Sequence, residues 1–405
     1  MGKKHFLSIL LFITLLLSLI PQANAFSSEK IPLGVWITVF APQEILYSQE
    51  NANRMIDICR KTGINQIYLQ IYRANKAYYD SDIADRKPFE KMEASAGCDM
   101  VQYIIDQANK NDIEVHAWIN LLSLAQNENA RILKKYGEGI LTLDQNGDPS
   151  AISGKAPDDF IREGQIFLEP GDWRVKEYLL DITEEIIRKY PALSGLHLDY
   201  IRYPVAVPFA PGSRFNNPAI SYGYSAVNIK KCIKLTGLDI KNAPPSRENY
   251  QRWDDWRRSQ ITGLVQAISI NTRDLAPSMQ ISCAVCPSVE RAYMMTLQDW
   301  PKWISENLVD YVVTMNYSDD TRLMTLNARS GLFPELKDKV YIGIGAYLLK
   351  KKPEVIENQL TILYDIKPGG IVIFSYDEVA DIEELRSFLV LTSTSRDRQL
   401  SSNDS

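Results

Sequence analysis

Cysteine and histidine are scarce in this 405-residue chain, with five of the first and three of the second. The cysteines (Cys59, Cys98, Cys232, Cys283, Cys286) are odd in number and too few to staple a small secreted scaffold, so a hydrophobic core has to hold the fold. Basic excess is missing as well. Lys plus Arg number 45 against 50 Asp plus Glu, a formal charge of −5, which argues against nucleic acid or anionic lipid as the partner. Beyond the first 25 residues no stretch approaches 18 continuous apolar residues, and no Gly-rich phosphate loop follows the first apolar run, Leu33-Gly-Val-Trp-Ile-Thr-Val. What remains is ordinary in amount: 45% apolar and 23% charged residues, enough to bury a large core.

The exception to the missing apolar runs lies at the start. Lys3 and Lys4 precede an apolar stretch from Phe6 to Ile20, and Ala23-Asn-Ala25 forms a small-x-small cleavage site. This pattern predicts a secretory signal peptide over 1–25, too short for a comfortable span. The protein is therefore expected to be exported, periplasmic or extracellular, with no stable membrane insertion once the leader is cleaved. Residues 26–390 are expected to form one domain, and the polar segment 391–405 a disordered tail.

Between these ends one unit recurs: a short apolar strand, a polar loop, an amphipathic helix. Strands are expected at 32–40, 64–72, 113–120, 195–200, 279–285, 310–316, 340–346 and 370–376. Several are apolar on both faces, as parallel strands covered by helices are. Eight such repeats predict an α/β fold, a single (β/α)8 TIM barrel, with long insertions after strands 3 and 4 at 126–165 and 205–250. An open doubly wound sheet is the competing layout, weakened by the missing phosphate loop. In a barrel both insertions lie on the face where active sites are built.

Side chains alternate along a strand, so residues of one parity near the C-terminal ends converge in the barrel mouth. His116, Trp118 and Asn120 share a parity on the third strand; His197 and Asp199 do on the fourth. Each histidine is equally readable as a hydrogen-bonded core residue, but their company with Asp199 points to a polar pocket. The block Gly195-Leu-His-Leu-Asp-Tyr-Ile-Arg-Tyr-Pro204 also supplies Arg202 and Tyr203, and a paired Arg202 would favour the ionised form of Asp199. Other strand ends add Gln70 and Arg73, Asn316 and Tyr317, Tyr347, and Tyr376 and Asp377. Rings stack on the C–H faces of sugars and amides bind their hydroxyls, so this mouth suits a carbohydrate. The histidines lack HExxH or HxxxH spacing, and Cys283 and Cys286 lie three apart on a strand, facing opposite sides. No metal and no cofactor is expected.

Several segments together resemble the glycosyl hydrolase-like 10 family of exported bacterial proteins. They include Gln70-Ile-Tyr-Arg73, Val115-His-Ala-Trp-Ile-Asn120, Glu169-Pro-Gly171, His197-Leu-Asp-Tyr-Ile-Arg-Tyr-Pro204, Tyr222-Gly-Tyr-Ser225, Trp253-Asp-Asp-Trp-Arg-Arg258 and Phe374-Ser-Tyr376. The resemblance implies a (β/α)8 glycoside hydrolase in a family with members linked to cell-wall glycan. Two strand ends depart from it: Ile281-Ser-Cys-Ala-Val-Cys-Pro-Ser288 where the family tends to Ser-Pro-Phe-Gly, and Thr314-Met-Asn-Tyr317 where it has Pro-Gln-x-Tyr. The latter is closer to family 18 chitinases, whose substrate supplies its own acetamido nucleophile; their catalytic Glu has no counterpart here.

Glycosidic hydrolysis usually takes two carboxyl groups unless the substrate provides the nucleophile. Asp199 is the first choice; Glu169 is the second, ahead of Asp319 and Asp377. Gln70, Arg73, His116, Trp118, Asn120, His197, Arg202, Tyr203, Asn316, Tyr317 and Tyr376 are expected to bind or orient a polysaccharide, peptidoglycan strands or another N-acetylhexosamine polymer. The rival readings are a barrel that binds glycan without cutting it, and a metal-dependent deacetylase.

Overall fold

The computed structural model describes residues 31–151, 160–208 and 220–403. The expected signal peptide lies outside them. Eight parallel strands form a closed ring: β1 Leu33–Ile37, β2 Gln66–Arg73, β3 Glu114–Asn120, β4 Gly195–Asp199, β5 Gln280–Val285, β6 Tyr311–Met315, β7 Val340–Gly345 and β8 Gly370–Phe374. Each pairs with the next in order, and β1 pairs with both β8 and β2, which closes the barrel. The crossover helices are α1 Gln49–Thr62, α2 Met100–Asn109, α3 Trp173–Lys189, α4 Arg247–Leu275, α5 Trp300–Ser305, α6 Thr321–Gly331 and α7 Pro353–Ile366. A last helix, α8 Glu383–Asn403, follows β8 after a short turn of helix at Tyr376–Asp381. Among the described residues no helix is long and apolar enough to cross a membrane.

Local sequence explains where these helices begin. Ser48, Asp99, Asp172, Ser246 and Asp320 each accept a backbone N–H of the first turn of α1, α2, α3, α4 and α6, an interaction worth about 1 kcal/mol apiece. Their apolar faces, such as Val175, Leu179, Ile182 and Ile186 of α3, pack on the outward side chains of the strands.

The barrel interior differs from that aliphatic layer. It is filled by Trp36, Tyr68, Trp118, Tyr311, Val313, Tyr341 and Val372. Rings of this size fit because glycines face them: a Cβ on Gly343 would fall 2.8 Å from Trp36, and one on Gly370 2.4 Å from Tyr341. Large side chains thus occupy the space that glycines of the adjacent strand or the next one leave empty, which closes the barrel below its mouth.

Both insertions follow β3 and β4, as expected. Their backbones join in a two-stranded antiparallel pair, Phe160–Arg162 with Ala206–Pro208. α8 runs on past Val390 into the polar segment, and there Thr392 and Thr394 turn their hydroxyls back onto the carbonyls of Leu389 and Val390 at 3.0 and 2.8 Å. Ser393 also lies against the glycine that ends α1, Gly63.

Candidate active site

Asp199 is the last residue of β4 and points inward with His197 two positions below it. Its Oδ2 accepts from Trp118 Nε1 at 3.0 Å, and its Oδ1 from the backbone N–H of Tyr200 at 2.7 Å. Tyr200 has φ of 51°, a left-handed conformation that a bulky side chain rarely adopts and that costs on the order of 1–3 kcal/mol. Burial pushes the Asp199 carboxyl above its usual range, against the opposing pull of the Tyr200 and Trp118 donors and of Arg202. The residue as a whole keeps 8% exposure at the end of its strand.

Arg202 does not pair with Asp199 directly, contrary to expectation. It makes a bidentate pair with Glu163, at 2.5 and 3.1 Å, and its guanidinium lies 5.0 Å from the Tyr200 ring centroid and 5.6 Å from that of Phe167. The backbone N–H of Val205 donates to the same Glu163 oxygen, so this carboxylate ties the two insertions together beside Asp199. Through space, Arg202 favours the charged form of Asp199 and Glu163 disfavours it.

A wall of rings faces this acid. Tyr317 and Phe374 stand 5.5 Å apart, Tyr347 is 6.0 Å from Tyr317, and Phe374 makes edge contacts with Trp36 at 5.9 Å and Trp118 at 6.3 Å. Tyr347 is 43% exposed, which leaves a stacking surface at the rim. The charge of Asp199 acts on Tyr317 and, after burial, helps push its phenol well above the ordinary value. On the opposite side, Gln70 accepts from the backbone of Val39 and donates to Asn120, both at 3.2 Å, and Asn120 lies in register with Asp199. Arg73 extends over the ring of Phe40 at 4.8 Å.

The profile of one family, glycosyl hydrolase-like 10, matches residues 33–330. The chain belongs to that family. The match spans β1 to α6 and includes Asp199, Trp118 and Glu163, while Tyr347 and Phe374 lie beyond it. Similar proteins include "Glycosyl hydrolase DigH" of Escherichia coli K12, 22% identical over 72% of this chain and 64% of its own length. "Glycosyl hydrolase YngK" of Bacillus subtilis is 22% identical over 77% and 59% respectively. The chain thus spans about 60% of the length of both relatives. Among solved structures, the PgaB (BpsB) glycoside hydrolase domain from Bordetella bronchiseptica superimposes with a TM-score of 0.63 at 12% identity, covering 89% of this chain and 98% of that one. The likeness is one of fold.

Several residues singled out from the family's motifs lie elsewhere than the mouth. Glu169, the expected second carboxylate, is fully buried under the loops: its Oε1 accepts from Tyr203 Oη at 2.8 Å and from the Gly171 N–H at 3.2 Å. Burial pushes its carboxyl up too, but it pins the Glu-Pro-Gly turn to the fourth-strand loop. Tyr203 is its partner and is equally hidden from a ligand.

His116 and His197 are fully buried inside the barrel. His197 Nε2 accepts from Trp36 Nε1 at 3.1 Å, so its proton is on Nδ1, which donates to Ser282 Oγ at 2.8 Å. Burial, then the nearby His116, hold His197 well below its ordinary value, in the neutral form. His116 stacks on Tyr68 at 5.1 Å. Asn316 is buried at the foot of α6, where its amide suits Thr314 and the Ala328 N–H; Tyr376 packs into the outer core. Asp319 is exposed, and Asp377 lies half-buried next to Glu378.

Glu163, Tyr200, Trp36 and Phe374 were missed. The last two share the inward parity of their strands, a signal present in the sequence but hidden by their resemblance to core. All five cysteines are free thiols, and among the described residues no three His, Cys, Asp or Glu side chains are grouped to hold a metal.

Proposed function

We propose that this protein is an exported, endo-acting glycoside hydrolase for a bacterial glycan, with peptidoglycan strands or another N-acetylhexosamine polymer as substrate. One observation carries the reading: a buried carboxyl, Asp199, at the end of a barrel strand, in a residue that keeps 8% exposure and faces a wall of aromatic rings. A carboxyl pushed up by burial holds a proton nearer to neutral pH, as an acid for the glycosidic oxygen requires. Tyr317, Phe374 and Tyr347 would take the C–H faces of the sugars, and Trp118 and the Tyr200 N–H would hold the carboxyl as it loses its proton. With Glu169 sealed, the oxygen that attacks the anomeric carbon comes from water or, on an N-acetylhexosamine, from the 2-acetamido group. The names of the relatives and the barrel shared with the PgaB glycoside hydrolase domain support the class of reaction. Export rests on the leader-like pattern of residues 1–25.

Mass spectrometry of peptide-stripped cell-wall glycan incubated with the purified protein tests this. Shorter saccharides are expected with the wild type and not with Asp199→Asn. The sealed Glu169 favours one rival, a barrel that retains glycan without cutting it; bound but unshortened strands would establish it. Release of acetate, abolished by a chelator, would instead mean a deacetylase.

A further inference from the structure

We infer that Phe40 and Arg73 form a distal sugar subsite, one that takes a glycan unit bearing a carboxylate. This deepens the hydrolase reading and rests on it. Phe40 is 63% exposed on a loop whose backbone is tied down. Its turn is fixed from two sides: the Phe40 N–H donates to Thr38 Oγ1 at 3.3 Å and the Ala41 N–H to the Thr38 carbonyl at 3.2 Å. Gln70 anchors the preceding residue through the Val39 N–H. The ring is thus presented, not tucked away, and a presented ring is what a sugar face stacks on.

Arg73 supplies the second element. It ends β2, is half-buried, and lies over the same ring with its guanidinium carbon 4.8 Å from the centroid. The other arginine of the mouth, Arg202, has both of its forks occupied by Glu163. Among the described residues Arg73 makes no ion pair, so its planar fork is available for an incoming anion of matching geometry, a carboxylate above all. A contact chain links this place to the acid. Val39 meets Gln70, Gln70 meets Asn120, and Asn120 pairs in register with Asp199. Asp199 is two strands from Arg73, a lateral offset of roughly 10 Å at about 4.8 Å per strand, so the subsite holds a unit further along the chain than the bond being cut.

The test separates charge from ring and both from catalysis. Asp199→Asn protein is titrated calorimetrically with peptide-stripped peptidoglycan strands, whose lactyl ethers carry carboxylates, and with the same strands after carbodiimide amidation. Amidation should weaken binding about tenfold. Adding Arg73→Gln should bring both ligands to the weaker affinity, and adding Phe40→Ala should weaken both while preserving their ratio. An unchanged preference in the Arg73→Gln protein, or no preference before it, overturns the subsite. Wild-type turnover of the two strands keeps the two readings apart. Equal cutting of both would sink the subsite and leave the hydrolase standing. Cutting of neither, with the Arg73-dependent preference intact, would do the reverse.

Discussion

Asp199 and Glu169 are both carboxyls pushed above their usual range by burial, and they differ in everything that matters for chemistry. Asp199 ends a barrel strand, receives an indole N–H and a strained backbone N–H, and as a whole residue keeps 8% exposure. Glu169 lies in a loop turn, receives a phenol and a glycine N–H, and has no exposure. A raised pKa therefore does not mark a proton donor by itself; the place of each carboxyl in the fold separates the proposed acid from a structural one. The same comparison fixes expectations for four variants.

The largest effect belongs to Asp199→Asn. Saccharide release should fall by roughly 10³-fold or more, since the proton donor is gone, while thermal stability changes little because the amide oxygen keeps one of the two hydrogen bonds that the carboxyl accepts. Full turnover by this variant would remove Asp199 from the mechanism.

Glu169→Ala should do the opposite. Tyr203 Oη and the Gly171 N–H lose their acceptor in a buried place, at a cost of about 2–4 kcal/mol by denaturant unfolding, with activity per folded molecule within a few-fold of wild type. The gentler Glu169→Gln carries a sign. A carboxyl with a raised folded pKa stabilises below its unfolded pKa, and that contribution is lost as pH rises through the folded value. The Gln protein should therefore gain on wild type as pH increases through that window. A Glu169→Ala protein that folds but is inert would reverse the assignment of the two carboxyls.

Trp118→Phe sharpens the comparison by changing only what holds Asp199. The ring remains against Phe374 and the N–H is lost. Because that N–H favours the ionised carboxyl, its removal should push Asp199 further up and move the corresponding limb of the pH–rate profile to higher pH, with kcat lower by about tenfold and KM nearly unchanged. An unmoved limb would make Trp118 a wall of the pocket only.

How far the sequence shows all this follows from which features are local. The eight strands are legible because strands covered on both faces are apolar runs, and the helices because Ser and Asp caps precede amphipathic stretches. Asp199 and Trp118 are legible from strand parity. Depth is not. His197 shares the parity of Asp199 but lies two residues lower, roughly 6–7 Å along the strand, which places it among Trp36, Tyr68 and Ser282 and away from the mouth. Glu163 and Glu169 are harder still, since both lie in insertions whose path depends on partners 34 and 39 residues away, Tyr203 for Glu169 and Arg202 for Glu163.

The smallest effect tests that difference in depth. With Nε2 of His197 already accepting from Trp36, protonation would break that bond and bury a charge, and its folded pKa is held well below the ordinary 6.5. The unfolded chain takes up this proton as pH falls through about 6.5 and the folded chain does not, so stability falls by at most about 1.4 kcal/mol per pH unit down to the folded pKa. The raised carboxyls contribute with the opposite sign as they gain protons, so the raw pH profile mixes the two. Comparison with His197→Gln isolates the histidine, because the amide can still donate to Ser282 and accept from Trp36 but has no proton to gain. Urea unfolding at about pH 7, 6 and 5 should show wild type the more stable near neutrality and its advantage shrinking with acid. A constant gap would mean that His197 meets solvent, and that the interior below Asp199 is part of the mouth after all.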